Sequence, residues 1–271
     1  MTSPSTPSSP STPSTPSPAS AGEEILRLAS ADNFRDVAGP GYPTADGGRV
    51  RRGVFYRSNA LRLTEADHGT VNGLGLRAVL DLRSRAEIDH HPDVEVPGAP
   101  WQNFDVSGIP MDKVAELRDR ATAVALMDDV YRGFVEDERV RGEFGGLFRQ
   151  LATGGPQLFH CTAGKDRTGW VAALLLHVAG VDDATIEADY LLSNELSAGS
   201  RAAIEAEIAQ HAGPEHVAAF EPTLVVDAEY LRSGYDALEA RYGDRATYLR
   251  EGLGLDETTV ATLRDLLREP E

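Results

Sequence analysis

The feature that most constrains the fold is a short apolar run that leads, through a polar string containing two glycines, into an apolar segment of helical length. Residues 156–159 have the length of a buried strand, and residues 168–178 are largely apolar until Gly180 ends the segment. Similar patterns predict further strands within residues 49–58, 74–82 and 101–106, and helices within residues 111–151, 182–212, 227–242 and 256–267. Strands that alternate with helices predict an α/β fold with a central, mostly parallel sheet flanked by helices.

The composition divides the chain into a tail and a single domain. Residues 1–22 consist almost only of Ser, Thr, Pro, Ala and Gly, which cannot bury a core, so we expect this tail to be disordered. Residues 23–271 have the length of one α/β domain and contain no internal repeat.

The charge and the cysteine content exclude several classes of protein. With 26 basic and 43 acidic residues the net charge is −17, which argues against a partner that is a nucleic acid or an anionic membrane. Cys161 is the single cysteine, so no intramolecular disulfide is possible. No apolar run reaches the roughly 18 residues of a membrane span, and the first residues lack the basic and apolar regions of a signal peptide. We therefore expect a cytoplasmic protein without an integral membrane segment, with export by another route as the alternative.

The string HCTAGKDRTG, at residues 160–169, is the strongest candidate for a functional site. It lies between the predicted strand and the predicted apolar helix, where backbone N–H groups and the helix dipole converge on one point. Such a loop binds a tetrahedral oxyanion without a metal ion or a cofactor. The expected phosphate-binding residues are Thr162, Ala163, Gly164, Lys165, Asp166 and Arg167.

Several side chains of this string have a chemical role that their type suggests. Cys161 lies where the helix dipole and Arg167 would stabilise a thiolate, which is a competent nucleophile toward phosphorus. Arg167 offers a planar fork that matches two phosphate oxygens. Thr168 could donate its hydroxyl to the departing sulfur, and His160 is expected to hold the loop by hydrogen bonds. The alternative interpretation is that Cys161 is a small buried core residue.

The same string resembles the signature of the cysteine-dependent protein tyrosine phosphatases, in the atypical bacterial branch that carries Lys-Asp inside the loop. The resemblance extends to NFRDVA (33–38), VFYRS (54–58), DLRS (81–84), ADYLLSN (188–194) and TYLREGLG (247–254). It implies a phosphatase α/β fold, no metal, and activity on phosphotyrosine, with phosphoserine, phosphothreonine or phosphoinositides accepted in some members. It also implies a helical lid, for which the stretches 111–139 and 182–217 are candidates, although amphipathic helices usually cover a core.

Two aspartates are candidates for the general acid that protonates the leaving group. Asp81 ends a predicted strand, where parallel sheets place functional groups, and the resemblance assigns the aspartate of this DLR motif to acid catalysis. Asp166 lies inside the loop, where it could be a second acid or could orient Arg167 and Lys165. We expect Asp81 to be the main acid and Asp166 to hold the loop.

The remaining polar residues are interpreted as structural. Arg83 and Glu87 are four residues apart and are expected to pair on one helix face, and Arg57 and Asp36 are expected to form a buried ion pair. His177 is expected to be a packed or capping residue. The pairs His90-His91 and His211/His216 have no recognised zinc spacing and are expected to be solvated.

The sequence therefore predicts a metal-independent phosphomonoester hydrolase that works through a phosphocysteine. Its expected partner is a phosphotyrosine protein or a small phosphate ester. The alternatives are a phosphatase of a sugar, nucleotide or inositol phosphate, or a phosphate-binding module without activity.

Overall fold

A computed structural model describes residues 26–110, 113–114 and 116–269 of the chain. The expected disorder of residues 1–22 concerns a segment that lies outside the described residues.

The centre of the fold is a five-stranded sheet in the order β1-β2-β5-β3-β4. Its strands are β1 (Arg35–Asp36), β2 (Phe55–Ser58), β3 (Ala78–Asp81), β4 (Trp101–Asn103) and β5 (Gln157–His160). Only β1 runs antiparallel to its neighbour, which confirms the predicted, mostly parallel sheet. The register places the last residues of the four parallel strands in one row: Ser58, His160, Asp81 and Asn103. This row is the carboxyl edge, where parallel sheets bind their ligands.

The strands are shorter than the sequence patterns predict. Within residues 49–58 only β2 joins the sheet. Val50 instead forms an isolated bridge with Arg268, near the end of the described chain. Tertiary pairing thus overrides the extended local preference of this stretch.

Eleven helices in the described residues surround the sheet: α1 (Glu65–Gly73), α2 (Arg85–His90), α3 (Arg120–Glu136), α4 (Glu138–Leu151), α5 (Arg167–Ala179), α6 (Asp183–Leu191), α7 (Ser193–Leu196), α8 (Ala198–His211), α9 (Pro214–Leu224), α10 (Ala228–Tyr242) and α11 (Glu257–Leu267). A helical turn, Arg245–Thr247, and a π-helical turn, Tyr248–Gly252, join α10 to α11.

Most predicted helices are confirmed, but two of them are interrupted. Within residues 111–151, Asp137 adopts an extended conformation that ends α3, and its side chain caps α4. Within residues 182–212 the chain forms α6, α7 and α8 in succession. The sequence patterns do not predict α1, and they imply α2 only through the expected pair of Arg83 and Glu87 on one helix face; both helices are short and mostly exposed.

The helix α5 is the central element of the larger core. Twelve of its residues are buried, so it is apolar on all sides, as a helix enclosed by other elements must be. Gly180 ends it in a left-handed conformation with φ of 90°. Alternating strand residues divide the core between the two faces of the sheet: Phe55 and Phe159 face α5, whereas Tyr56 and Leu158 face a smaller cluster that includes Leu28 and Phe34.

Within the described residues, no helix combines the length and the apolarity needed to cross a lipid bilayer.

Candidate active site

The loop between β5 and α5 lies at the carboxyl edge of the sheet and begins with the buried Cys161. Gly164 has φ of +68°, and a Cβ atom at this position would lie 2.4 Å from the carbonyl oxygen of Ser58. Only glycine fits both the left-handed backbone and this close approach. The sharp turn of the loop is therefore possible only with this residue.

Hydrogen bonds from outside the loop hold its carbonyl groups. Asn33 Nδ2 donates to the carbonyl oxygens of Gly164, at 2.8 Å, and Ala163, at 3.3 Å. Arg57 Nη2 donates to the same Gly164 oxygen at 2.9 Å. Because the C=O and N–H of a trans peptide point in opposite directions, the N–H of Lys165 is turned to the other side. This arrangement leaves the N–H of Lys165 facing away from Asn33 and Arg57.

A buried ion cluster carries Arg57. Asp189 on α6 accepts hydrogen bonds from Arg57 at 3.0 Å and from Arg35 at 3.1 Å. Burial opposes ionisation of Asp189, but the two arginines outweigh it and lower its pKa. Burial, reinforced by Arg35, lowers the pKa of Arg57 to about 10.

The predicted pairing of Arg57 with Asp36 is wrong. The Asp36 carboxylate instead accepts the backbone N–H groups of Ala38 at 2.8 Å and Gly53 at 2.6 Å. Sequence spacing cannot reveal the true partner, Asp189, because 132 residues separate it from Arg57. The motif ADYLLSN, which contains Asp189, was the available signal.

The guanidinium of Arg167 is oriented by Glu87. Its Nη1 and Nη2 donate to the two carboxylate oxygens of Glu87 at 2.9 and 2.7 Å, and Nη1 also lies 3.2 Å from the carbonyl of Val106. The expected pair of Glu87 with Arg83 is therefore wrong, because Arg83 turns inward from the helix that carries Glu87. Its partners are Asp81 and Asp93.

Glu87 links Arg167, at the end of the loop, to Thr162, near its start. Its carboxylate also accepts the Thr162 hydroxyl and completes a capping box with Ser84 at the start of α2. Burial would raise the pKa of Glu87, but the hydrogen bonds and charge of Arg167 lower it to about 2. Burial likewise opposes the charge on Arg167, yet its electrostatic interaction with Cys161 and its contacts with Glu87 raise its pKa.

The Asp81 carboxylate lies in a buried ion pair. Arg83 donates to both of its oxygens, from Nε at 2.9 Å to Oδ1 and from Nη2 at 2.8 Å to Oδ2. Trp101 Nε1 lies 3.4 Å from Oδ2, and Asp81 has no exposed surface. At the end of β3 the Asp81 carboxylate is therefore paired with Arg83 and does not reach solvent.

His160 joins the same buried group of charges. Its Nε2 lies 3.1 Å from Asp93 Oδ2, and its Nδ1 lies 3.2 Å from the Cys161 carbonyl oxygen. Burial would lower the pKa of His160, but Asp93 and Asp81 outweigh it and raise it. His160 therefore links the start of the loop to the loop that carries Asp93.

Ligand atoms of Asp81, Asp93 and His160 lie within 4.8 Å of one another, as a metal site would require. The guanidinium of Arg83, however, already binds both carboxylates as their cation. The four histidines at 90, 91, 211 and 216 are not buried, in agreement with the interpretation that they are solvated.

Asp166 lies at the end of the loop and is partly exposed. Its Oδ1 accepts the hydroxyl of Tyr131 at 3.0 Å, and its Oδ2 accepts Lys165 Nζ at 2.6 Å. Thr168 Oγ1 is buried and has no hydrogen-bond partner in the part of the chain that the structure describes. Its donor thus remains available at the start of α5.

The helix α9, which begins at the end of the second candidate lid stretch, connects the helices of both stretches. α9 contacts both α3 and α8, and none of the residues of α8 is buried. Asp32 accepts the backbone N–H of Ser200, which connects α8 to the segment before Asn33. A lid remains a prediction of the resemblance.

The fold and the family signature in its loop together define an α/β phosphatase, with the loop at the carboxyl edge of its sheet. The chain belongs to the tyrosine phosphatase family, whose model matches residues 26–269. It is therefore a phosphoric monoester hydrolase of the protein-tyrosine-phosphatase type, as the sequence predicts.

Three relatives are similar over nearly the whole chain. The triple specificity protein phosphatase PtpB of Mycobacterium tuberculosis is 32% identical, with 90% of this chain and 99% of the relative covered. A protein of Cupriavidus necator is 37% identical, with 91% and 90% covered. A tyrosine-protein phosphatase of Nostoc commune is 28% identical, with the same coverage.

Proposed function

We propose that the protein hydrolyses phosphomonoesters through a phosphocysteine intermediate, with phosphotyrosine proteins as its main substrate and with phosphoserine, phosphothreonine or phosphoinositide esters as further substrates. The observation that carries the proposal is the position of Arg167, held by both oxygens of Glu87 at the end of the loop that Cys161 begins. A cation oriented in this way meets the charge that develops on a transferring phosphoryl group.

In the first step the Cys161 thiolate attacks phosphorus while the bond from phosphorus to the ester oxygen breaks. The N–H groups of the loop and the guanidinium of Arg167 bind the three equatorial oxygens. The departing oxygen takes a proton from a carboxylic acid. In the second step the resulting carboxylate accepts a proton from water, the water oxygen attacks phosphorus, and the bond from sulfur to phosphorus breaks.

We propose that Asp166 is the acid, in place of the Asp81 that the sequence favours. Asp166 is partly exposed and belongs to the anion-binding loop itself. Both oxygens of each carboxylate are engaged, those of Asp166 by Tyr131 and Lys165 and those of Asp81 by Arg83, but Asp81 has no exposed surface, so its proton could not reach a substrate. The role of Asp81 is then to orient Arg83 at the end of β3.

The names of the relatives support a protein substrate, since all three are named as protein or tyrosine-protein phosphatases. The word triple in the name of the Mycobacterium tuberculosis relative supports a broad specificity. A phosphatase of small metabolites is the second candidate, because the loop contacts described above recognise a phosphate and not the group that it esterifies.

The mechanism is tested by hydrolysis of p-nitrophenyl phosphate in excess chelator. We expect the wild type to remain active and Cys161→Ser to lose at least about a thousandfold in kcat, while the variant still binds phosphotyrosine peptides. Substantial residual turnover in Cys161→Ser would contradict the phosphocysteine. A matched panel of phosphotyrosine peptides, phosphoinositides and sugar phosphates then separates the two candidate substrate classes by kcat/KM.

The acid assignment is tested with aryl phosphates whose leaving groups differ in pKa. A general acid matters most for a poor leaving group. Asp166→Asn should therefore slow phenyl phosphate far more than p-nitrophenyl phosphate, and Asp81→Asn should slow both by the same factor. The opposite pattern would return the acid to Asp81.

A further inference from the structure

Two buried tyrosine hydroxyls lie next to Asp166 in the core. Tyr131 on α3 and Tyr190 on α6 are both buried, and their hydroxyl oxygens lie 2.6 Å apart. The Tyr131 hydroxyl also donates to Asp166 Oδ1 at 3.0 Å. The rings pack at an edge-to-face angle of 84°, with their centroids 6.3 Å apart.

The direction of this chain follows from counting protons. A hydroxyl carries one proton, and an ionised carboxylate can only accept. The single hydroxyl proton of Tyr131 is used in the hydrogen bond that Tyr131 donates to Asp166. In the short contact between the two tyrosines, Tyr190 must therefore be the donor. The chain therefore runs from Tyr190 to Tyr131 to Asp166, and it strengthens the donor that reaches the carboxylate.

Packing alone does not require either hydroxyl. Phenylalanine would fill the same space beside Phe134 without a polar atom that must be satisfied in the core. The hydroxyls are satisfied only by each other and by Asp166 among the described residues. The presence of both hydroxyls is explained if their function is to hydrogen-bond the Asp166 carboxylate.

We propose that Tyr131, supported by Tyr190, is a positioning residue that holds the Asp166 carboxyl in one orientation over the loop and stabilises its ionised form. The proposal rests on the proposed function, in which Asp166 is the acid. A hydrogen bond donated to the carboxylate favours loss of the proton, and so sets the pH above which the acid is spent.

Other charged and titratable groups also face this carboxyl. They are Lys165 and Arg167 from the loop, Tyr131 from α3, Tyr190 from α6 and Tyr230 from α10. Tyr131 is the only one of these tyrosines with a hydrogen bond to Asp166 in the described part of the chain.

The test is the pH dependence of kcat/KM for phenyl phosphate in Tyr131→Phe. Without the donated bond the carboxyl keeps its proton to a higher pH, so the basic limb should move upward by about one pH unit. Loss of orientation should lower kcat about tenfold and change KM less than about twofold. Tyr190→Phe, which leaves the contact with Asp166 in place, should give a smaller shift in the same direction.

Tyr230→Phe is the matched control. Its ring lies 6.0 Å from that of Tyr131, but its hydroxyl donates to the carbonyl of Pro222 at 3.3 Å. We expect this variant to leave the basic limb in place. A basic limb that stays in place in Tyr131→Phe, or that moves equally in Tyr230→Phe, would overturn the positioning role.

A second measurement separates this role from the acid assignment. The carboxyl carbon of Asp166, labelled with carbon-13, can be titrated by NMR in the wild type and in Tyr131→Phe or, if that variant does not fold, in Tyr190→Phe. An upward shift of its midpoint supports the contact even if Asp166→Asn shows no dependence on the leaving group, a result that would refute only the acid assignment. An unchanged midpoint would overturn the inference.

Discussion

Replacing Glu87 by glutamine should impair both stability and catalysis, because one carboxylate orients Arg167, the arginine that we propose binds the phosphate. Arg167 is 7% exposed in its side chain and donates to both Glu87 oxygens. A glutamine offers only one oxygen, and its NH2 group would face a donor of Arg167. The substitution thus leaves a nearly buried guanidinium with one contact fewer and without its neutralising charge.

The size of the effect follows from the titration of Glu87. Its pKa falls from 4.5 to about 2 on folding, which corresponds to about 3 kcal/mol of the free energy of unfolding. Because 31% of the Glu87 side chain is exposed, solvent screening reduces this to about 2 kcal/mol. The folded pKa is the lower one, so this contribution is present above pH 4.5 and is lost as the pH falls toward 2.

Urea unfolding at pH 7 and kcat/KM for p-nitrophenyl phosphate measure the two consequences. We expect Glu87→Gln to lose about 2 kcal/mol of stability and between about tenfold and a hundredfold in kcat/KM, with weaker inhibition by inorganic phosphate. Asp89→Asn is the control, because it removes a carboxylate from an exposed pair with Arg85 on the same helix α2. That variant should change stability by less than about 0.5 kcal/mol.

The reasoning is refuted if Glu87→Gln matches Asp89→Asn in both measurements. It is also refuted if the wild type and Glu87→Gln lose stability in parallel as the pH falls from about 5 to about 3, because the Glu87 carboxylate contributes to that loss only in the wild type.

Three further predictions concern the support of the loop. Gly164→Ala should lower stability by at least about 2 kcal/mol and abolish p-nitrophenyl phosphate hydrolysis, because the added carbon meets backbone 2.4 Å away; normal urea unfolding would contradict this. Asp189→Asn should lower the free energy of unfolding by about 3 kcal/mol in the same assay, since it leaves the buried guanidinium groups of Arg57 and Arg35 without their shared carboxylate. The raised pKa of His160 implies stability that is complete below about pH 6.5 and lost as the pH rises through the folded value, and Asp93→Asn should flatten this slope in urea unfolding between about pH 6 and pH 9.

Local patterns were sufficient to predict the element that carries the site. The run at 156–159, the polar string and the apolar residues 168–178 predict β5, the loop and α5, because each depends on burial and chain geometry within about 25 residues. Gly180 as the end of α5 follows from the same kind of local rule. The apolar pattern does not reveal the exposed helices α1 and α2, because they have little apolar periodicity, and α2 was implied only by the spacing of Arg83 and Glu87.

The partners of charged side chains were decided by the tertiary structure. By itself the sequence determined the α/β class, the position of the loop and the identity of Cys161 and Arg167 as its ends, since these depend on residue type and local spacing. It could not determine that Glu87 contacts Arg167, or that Asp189 contacts Arg57, because an ion pair forms wherever the fold brings opposite charges together, in these two pairs across 80 and 132 residues of chain. Spacing along one helix favoured Arg83 for Glu87, and the buried pair of Arg83 with Asp81 replaced it, because a charge in the core must find a partner there.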